Sequence, residues 1–378
     1  MINIKQQVNS LITFKLSTLI LITLMLITLQ VSAASVSKKI LMVVSGYGQE
    51  EKSAGYEFDE FSKAYLVFKA NGISVDIASP KGGKVTASKY DATAAYNAKT
   101  LADKNIMDKL AQTLATSDID ASKYSGIFIV GGKGAMFDLP KDKALKTLIA
   151  DIYQQQGTVA AVCHGPAALV DVKLNDGSYL VANKAINGFT NTEEQLFGKK
   201  WLSKFDFMLE DKLIERGGKF QSSDIMLSHV AIDDRLITGQ NPSSTVGVAN
   251  ALVSSLGIKP VLTEQYQDDK TLALVAKLLA GDKSVLNTLS ENQQDYHLAL
   301  VGMYGFYYAK IAENNLQISN ALSLMIAAQA EINNPMLDMK IAKAQQQLGN
   351  SEKAKTTLAQ LLLAKPDYQP AKDMLKTL

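Results

Sequence analysis

An apolar run from Val159 to Val162 stops at Cys163-His164-Gly165-Pro166, and this join constrains the chain more than any other segment. Consecutive apolar residues bounded by a Gly-Pro turn read as a buried parallel strand, followed by a sharp turn into a helix. Such a bend exposes the side chain at its apex while the following backbone N–H groups can form an oxyanion hole. The residue at the apex is the only cysteine among 378 residues. A lone cysteine with apolar flanks is by default a small core residue. The adjacent histidine and the turn chemistry point instead to a nucleophile.

Strands and helices alternate on both sides of that join. Lys39 to Ser45 reads as a first strand, Phe58 to Ala70 as an amphipathic helix closed by Gly72, and Ile73 to Ser79 as a second strand stopped by Pro80. Gly126 to Val130 predicts a strand ending at Gly131-Gly132, Lys141 to Gln156 a helix closed by Gly157, and Thr158 to Val162 the strand that enters the bend. This pattern predicts an α/β fold with a doubly wound, mostly parallel sheet, whose reactive groups lie at the carboxyl ends of strands. Gly131 and Gly132 supply the flexible backbone that an oxyanion donor near the bend requires.

Composition narrows the partners. Lys plus Arg (39) nearly balance Asp plus Glu (37), and 47% hydrophobic residues suit a chain with a substantial core. No basic cluster with interleaved aromatics is present, which excludes nucleic acid as a partner. His229 and His297 pair with no other ligand at metal spacing, so neither a metal nor an organic cofactor is expected. Lys5 and Lys15 precede an apolar run from Leu16 to Leu29, and Val31-Ser32-Ala33 offers small residues to a signal peptidase. The expectation is a signal peptide over 1–33, cleavage after Ala33, and export to the periplasm or medium. The alternative, an uncleaved anchor, meets the objection that this run is short beside the roughly 20 residues of a membrane span. A single cysteine also forbids an intramolecular disulfide.

Four motifs carry a family resemblance: Gly55 to Glu60 with Ser79 to Gly83, Gly131 to Asp138, Ala161 to Pro166, and Gly188 to Glu194, with Leu236 to Pro242 as a fifth. On these residues the stretch 38–258 resembles the ThiJ/PfpI family, a branch of the class I glutamine amidotransferase-like superfamily, and within it the glyoxalase III and holding-chaperone proteins. The resemblance implies a flavodoxin-like fold with Cys163 as nucleophile, His164 as its proton partner and Glu194 as the acid orienting that histidine. Glu60 would be the carboxylate beside the thiol. Glu193 is the neighbour that a one-residue shift would exchange with Glu194. Gly131, Gly132, Lys133 and His164 would form the oxyanion and substrate contacts. Many relatives of this branch have histidine where Lys133 stands. True glutamine amidotransferases place a glutamate two residues after a downstream histidine, and Ser228-His229-Val230-Ala231 lacks it.

The reaction implied is glutathione-independent conversion of a small 2-oxoaldehyde, such as methylglyoxal, to D-lactate in carbonyl-stress defence. A holding chaperone, a protein deglycase and a thiol-based oxidative-stress sensor are the competing readings. Beyond Pro260 the α/β alternation stops, glycine becomes sparse, and a helical domain is expected over 261–378. Ala342, Gly349, Ala354 and Pro366 stand at tetratricopeptide spacing over about 335–368, and Ala309 and Ala321 echo the alanine pair 33 residues earlier. A generic helical hairpin is the alternative. Tyr304, Phe306, Tyr307 and Tyr308 are expected in a core, and the helices could bind a protein partner or a second copy.

Overall fold

Apolar strands without polar alternation need cover on both faces, and a central parallel sheet provides it. The computed structural model describes residues 38–263 and 265–378, so the expected signal segment lies outside the described residues. The strands are β1 (Lys39–Val43), β2 (Ser74–Ser79), β3 (Leu114–Ala115), β4 (Gly126–Ile129), β5 (Thr158–Val162), β6 (Ala185–Ile186), β7 (Lys219–Phe220), β8 (Val230–Asp233) and β9 (Leu236–Gly239). Seven of them form one sheet in the order β3-β2-β1-β4-β5-β9-β8, and β6 and β7 pair separately. All neighbours in the large sheet run parallel except β8 against β9. This is the doubly wound architecture that the alternation predicts.

The register fixes where chemistry can occur. Val43 lies beside Ile129, Ile129 beside Ala161, and Val162 beside Gly239, so β1, β4, β5 and β9 end together. Every residue of β4 and β5 is buried. Full burial of each large aliphatic side chain contributes about 1.5–3 kcal/mol, which holds these carboxyl ends rigid. The helices of this region are α1 (Phe58–Ala70), α2 (Ala95–Leu101), α3 (Lys104–Ala111), α4 (Lys143–Gln154), α5 (Asn191–Phe197), α6 (Leu209–Glu215) and α7 (Thr245–Ser255).

Several boundaries differ from the sequence reading, and three have local reasons. β1 stops before Ser45, whose hydroxyl donates to Asp138 Oδ1 at 2.8 Å. α4 begins two residues late because Asp142 caps it, accepting from the Leu145 N–H. The bend after β5 leads into a five-residue 3-10 helix, Gly165–Leu169, rather than a longer α-helix.

The helical region comprises α8 (Gln267–Leu279), α9 (Val285–Glu291), α10 (Leu298–Ile311), α11 (Asn315–Ile332), α12 (Pro335–Gln347), α13 (Ser351–Ala364) and α14 (Gln369–Leu375). Ala342 and Ala354 are fully buried in α12 and α13, which turn through Gly349 at φ +78°. In the preceding hairpin Ala321 is fully buried, whereas Ala309 is only half-buried. Gly305 supplies the close approach instead: a Cβ there would lie 2.7 Å from the Ala321 carbonyl and 2.9 Å from Met325 Cγ. Tyr304 and Tyr308 are buried, and Phe306 and Tyr307 half-buried. Residues Lys39–Leu378 form one compact unit. Among the described residues no helix is long and apolar enough to cross a membrane.

Gly305→Leu should lower the unfolding free energy by about 1–3 kcal/mol, because α10 and α11 must separate to admit the side chain. Urea unfolding followed by circular dichroism checks this, and an unchanged midpoint would contradict the close approach at Gly305.

Candidate active site

Cys163 follows β5 with φ +60°, left-handed backbone that costs a non-glycine residue energy. Two backbone bonds hold it there: its N–H donates to the Gly239 carbonyl at 2.8 Å and its carbonyl accepts from Phe189 N–H at 2.9 Å. The result is a buried thiol, 4% exposed, at the common end of the central strands. His164 Nδ1 lies 3.3 Å from Cys163 Sγ, and His164 Nε2 lies 2.7 Å from Glu194 Oε2. An ionised Glu194 can only accept, so Nε2 carries the proton and Nδ1 faces the thiol as an acceptor. Phe189 packs beside the imidazole, with ring centroids 4.6 Å apart.

The neighbouring glutamates divide two tasks. Thr190 caps α5 by accepting from Glu193 N–H, and Glu193 Oε2 accepts from Thr190 N–H at 2.9 Å. Glu193 Oε1 accepts from Met226 N–H, Gln240 Nε2 and Asn241 Nδ2 at 2.7, 3.1 and 2.9 Å. Glu194, one residue on, meets the histidine. Its carboxyl is packed so closely that a Cβ at Gly198 would lie 1.5 Å from Glu194 Oε1. Thr190-x-x-Glu193 is a capping-box signature, the sequence signal that separates the two.

Glu60 reaches the thiol from α1. Its Oε2 accepts from Gly131 N–H at 2.8 Å, and its carboxyl lies beside the Cys163 thiol with Oε1 buried and making no hydrogen bond. Burial pushes Glu60 well above the usual carboxylate range, and nearby Glu57 adds to this. Burial also pushes the thiol up, as does a charged Glu60, against the opposing pull of Lys133. Both groups therefore favour their neutral forms more than they would in water, because taking either charge from water is costly. A Cβ at Gly131 would come within 2.8 Å of Glu60 Oε2 and 2.9 Å of Cys163 Cβ. The N–H of Gly131, one of the residues expected to make the oxyanion and substrate contacts, donates to Glu60. Among the described residues, the N–H groups of Gly132 and His164 donate to no protein acceptor.

Glu57 is the group that the sequence reading missed. Its N–H donates to the Gly131 carbonyl at 3.1 Å, which brings Glu57 beside the glycine loop and Lys133. Burial and Asp59 raise its carboxyl to about 7, with Lys133 opposing. Lys133 is half-buried at the start of the 3-10 turn Lys133–Met136. His229 precedes β8, where its carbonyl accepts from Gln240 N–H, and His297 caps α10 by accepting from Leu300 N–H. Among the described residues no cluster of three His, Cys, Asp or Glu side chains is placed to hold a metal ion.

A doubly wound sheet with a cysteine bend, an adjoining His–Glu pair and a second buried carboxyl defines an α/β protein with a thiol site. Residues 38–255 match the DJ-1/PfpI family, and the chain belongs to it. The glutathione-independent glyoxalase hsp3102 of Schizosaccharomyces pombe is 30% identical over 243 residues, 60% of this chain and 100% of that protein. The solved 24 kDa rapid encystment protein of Francisella tularensis is 33% identical, with a TM-score of 0.54 over 58% of this chain and 99% of that one. Glyoxalase III from Candida albicans shares the fold at 23% identity and a TM-score of 0.53, over 58% of this chain and 97% of its own.

A carboxyl raised from 4.5 to about 7 binds its proton more tightly in the folded state. The stability it supplies is full below 4.5 and is lost as pH rises through about 7. Glu57→Gln lacks this slope, so its stability relative to the wild type should climb across that window. Urea midpoints from pH 4 to pH 8 at fixed ionic strength measure it, and parallel curves would refute the raised value.

Proposed function

We propose that the protein is a cysteine-dependent, glutathione-independent glyoxalase that converts a small 2-oxoaldehyde, such as methylglyoxal, to D-lactate. One observation carries the reading: His164 joins Cys163 to Glu194 through contacts of 3.3 and 2.7 Å, while the Glu60 carboxyl and Cys163 both crowd Gly131. Relatives bearing the glyoxalase name at about 30% identity support the substrate class.

The steps follow from these positions. Sulfur attacks the aldehyde carbon while the thiol proton passes to His164 Nδ1 and then to the aldehyde oxygen, giving a hemithioacetal. A preformed thiolate is not needed, because the base sits beside the thiol. Glu60, in its ionised form, removes the hydrogen from the former aldehyde carbon, and the electron pair moves onto the ketone oxygen to give an enediolate. The same carboxyl returns that proton to the neighbouring carbon while the hydroxyl proton on the former aldehyde carbon passes to the neighbouring oxygen, leaving a 2-hydroxyacyl thioester. A carboxyl whose proton affinity is raised by burial suits both halves of that transfer. Water activated by His164 then cleaves the thioester, releasing the 2-hydroxy acid and restoring the thiol. The N–H groups of Gly132 and His164 receive the oxyanion, and Lys133 holds the carboxylate product.

Cys163→Ala should abolish lactate formation, and Glu60→Gln should reduce kcat by about 10²–10⁴. Methylglyoxal consumption and D-lactate are measured without glutathione or added metal. Folded wild-type protein that forms no lactate, or a Cys163→Ala variant that does, would defeat the reading.

We also propose export, on the strength of the basic and apolar amino-terminal stretch alone. The mature protein should begin at Ala34 by intact mass. An unprocessed chain held in the membrane fraction would mean an anchor instead.

A further inference from the structure

The family match ends at residue 255, ahead of the C-terminal helices, yet those helices touch the α/β region at two places that matter. One is on α1. Lys63, one turn beyond Glu60, is 4% exposed, and its Nζ lies 2.7 Å from both Asp268 Oδ2 and Asp269 Oδ1 in the first turn of α8. The same ammonium stands over the rings of Tyr96 and Tyr266, 4.7 and 5.7 Å from their centroids. A buried cation paired with two carboxylates is strongly bound in place, because losing its partners would strand the charge.

The other contact is on α5. Phe197, three residues beyond Glu194, meets Tyr307 of α10 edge to face, with centroids 4.9 Å apart. Leu196 packs against the core of the helical region, and that core includes Ile225 and Leu227. These two flank Met226, whose N–H donates to Glu193. Each carboxylate that meets the Cys163–His164 pair is thus followed, three residues later on its own helix, by a side chain gripped by the helical region.

We infer that the C-terminal helices position Glu60 and Glu194 around the thiol, acting through Lys63 on α1 and Phe197 on α5. Lys63, Phe197 and Tyr307 are positioning residues, since none of them meets the reacting groups. The inference rests on the roles assigned above to Glu60 and Glu194. Displacement of a catalytic group by about 1 Å can cost about 10²-fold in rate, so a modest loosening of either helix should register.

The test uses the full chain with Tyr307→Ala, the conservative Tyr307→Phe, and Lys63→Met at the independent contact. The rate of Cys163 alkylation by iodoacetamide is measured against pH, beside kcat and KM for methylglyoxal and the thermal midpoint. In Tyr307→Ala and Lys63→Met, kcat should fall about tenfold or more while KM changes less than about threefold. The alkylation midpoint should move by about half a pH unit, and Tyr307→Phe should restore both readouts. Folded variants with the wild-type alkylation profile would overturn the inference, even if their activity falls through lost stability. Should one alanine or methionine variant not fold, the other decides. Alkylation needs no substrate, so wild-type protein inactive on methylglyoxal would remove the glyoxalase reading and leave this one decidable.

Discussion

Cys163 is held in left-handed backbone by the Gly239 carbonyl on one side and the Phe189 N–H on the other. Residues so placed cost on the order of 1–3 kcal/mol and persist only where their surroundings fix them more firmly than the strain loosens them. Here the fixing comes from β5 and β9, whose register ends at Val162 and Gly239. The bend places the thiol beside Gly131, brings His164 back over it, and leaves Phe189 against the imidazole. Every other part of the site is arranged around that point.

Four buried or half-buried glutamates surround one thiol and one histidine, and their partners give each a different character. Glu193 has the Met226 N–H and two side-chain amides on Oε1 and the Thr190 N–H and hydroxyl on Oε2, and holds a helix end. Glu194 has the imidazole. Glu60 has one backbone donor and lies beside the thiol, and burial raises its hold on a proton. Glu57 is raised by burial and Asp59, with Lys133 opposing. Residue type alone does not determine acid or base behaviour; the count of donors and the depth of burial do.

The fold was legible because β1, β4 and β5 are short unbroken apolar runs ended by glycine or a turn, a pattern that parallel strands alone make common. Cys163 and His164 are neighbours, but their contacts with Glu194 and Glu60 were expected only through the family motifs, since those two glutamates are 134 positions apart and no local spacing links them to the pair. Glu57 escaped because it precedes a helix and reads as an ordinary solvated residue. Its environment comes from the Gly131 carbonyl, a partner 74 positions away. The commitment of the Gly131 N–H escaped for the same reason. Alanine spacing located the α12–α13 hairpin, but in α10 the tight contact falls at Gly305, which the repeat pattern does not mark.

Gly198 closes α5 where the Glu194 carboxyl folds back, and the space of its missing methyl group is already filled by an oxygen. Side-chain length at 194 and bulk at 198 are therefore a single shared volume. A methyl group at 198 would push the Glu194 carboxyl away from His164, so the reach of the acid depends on a vacancy one helical turn further along its own helix.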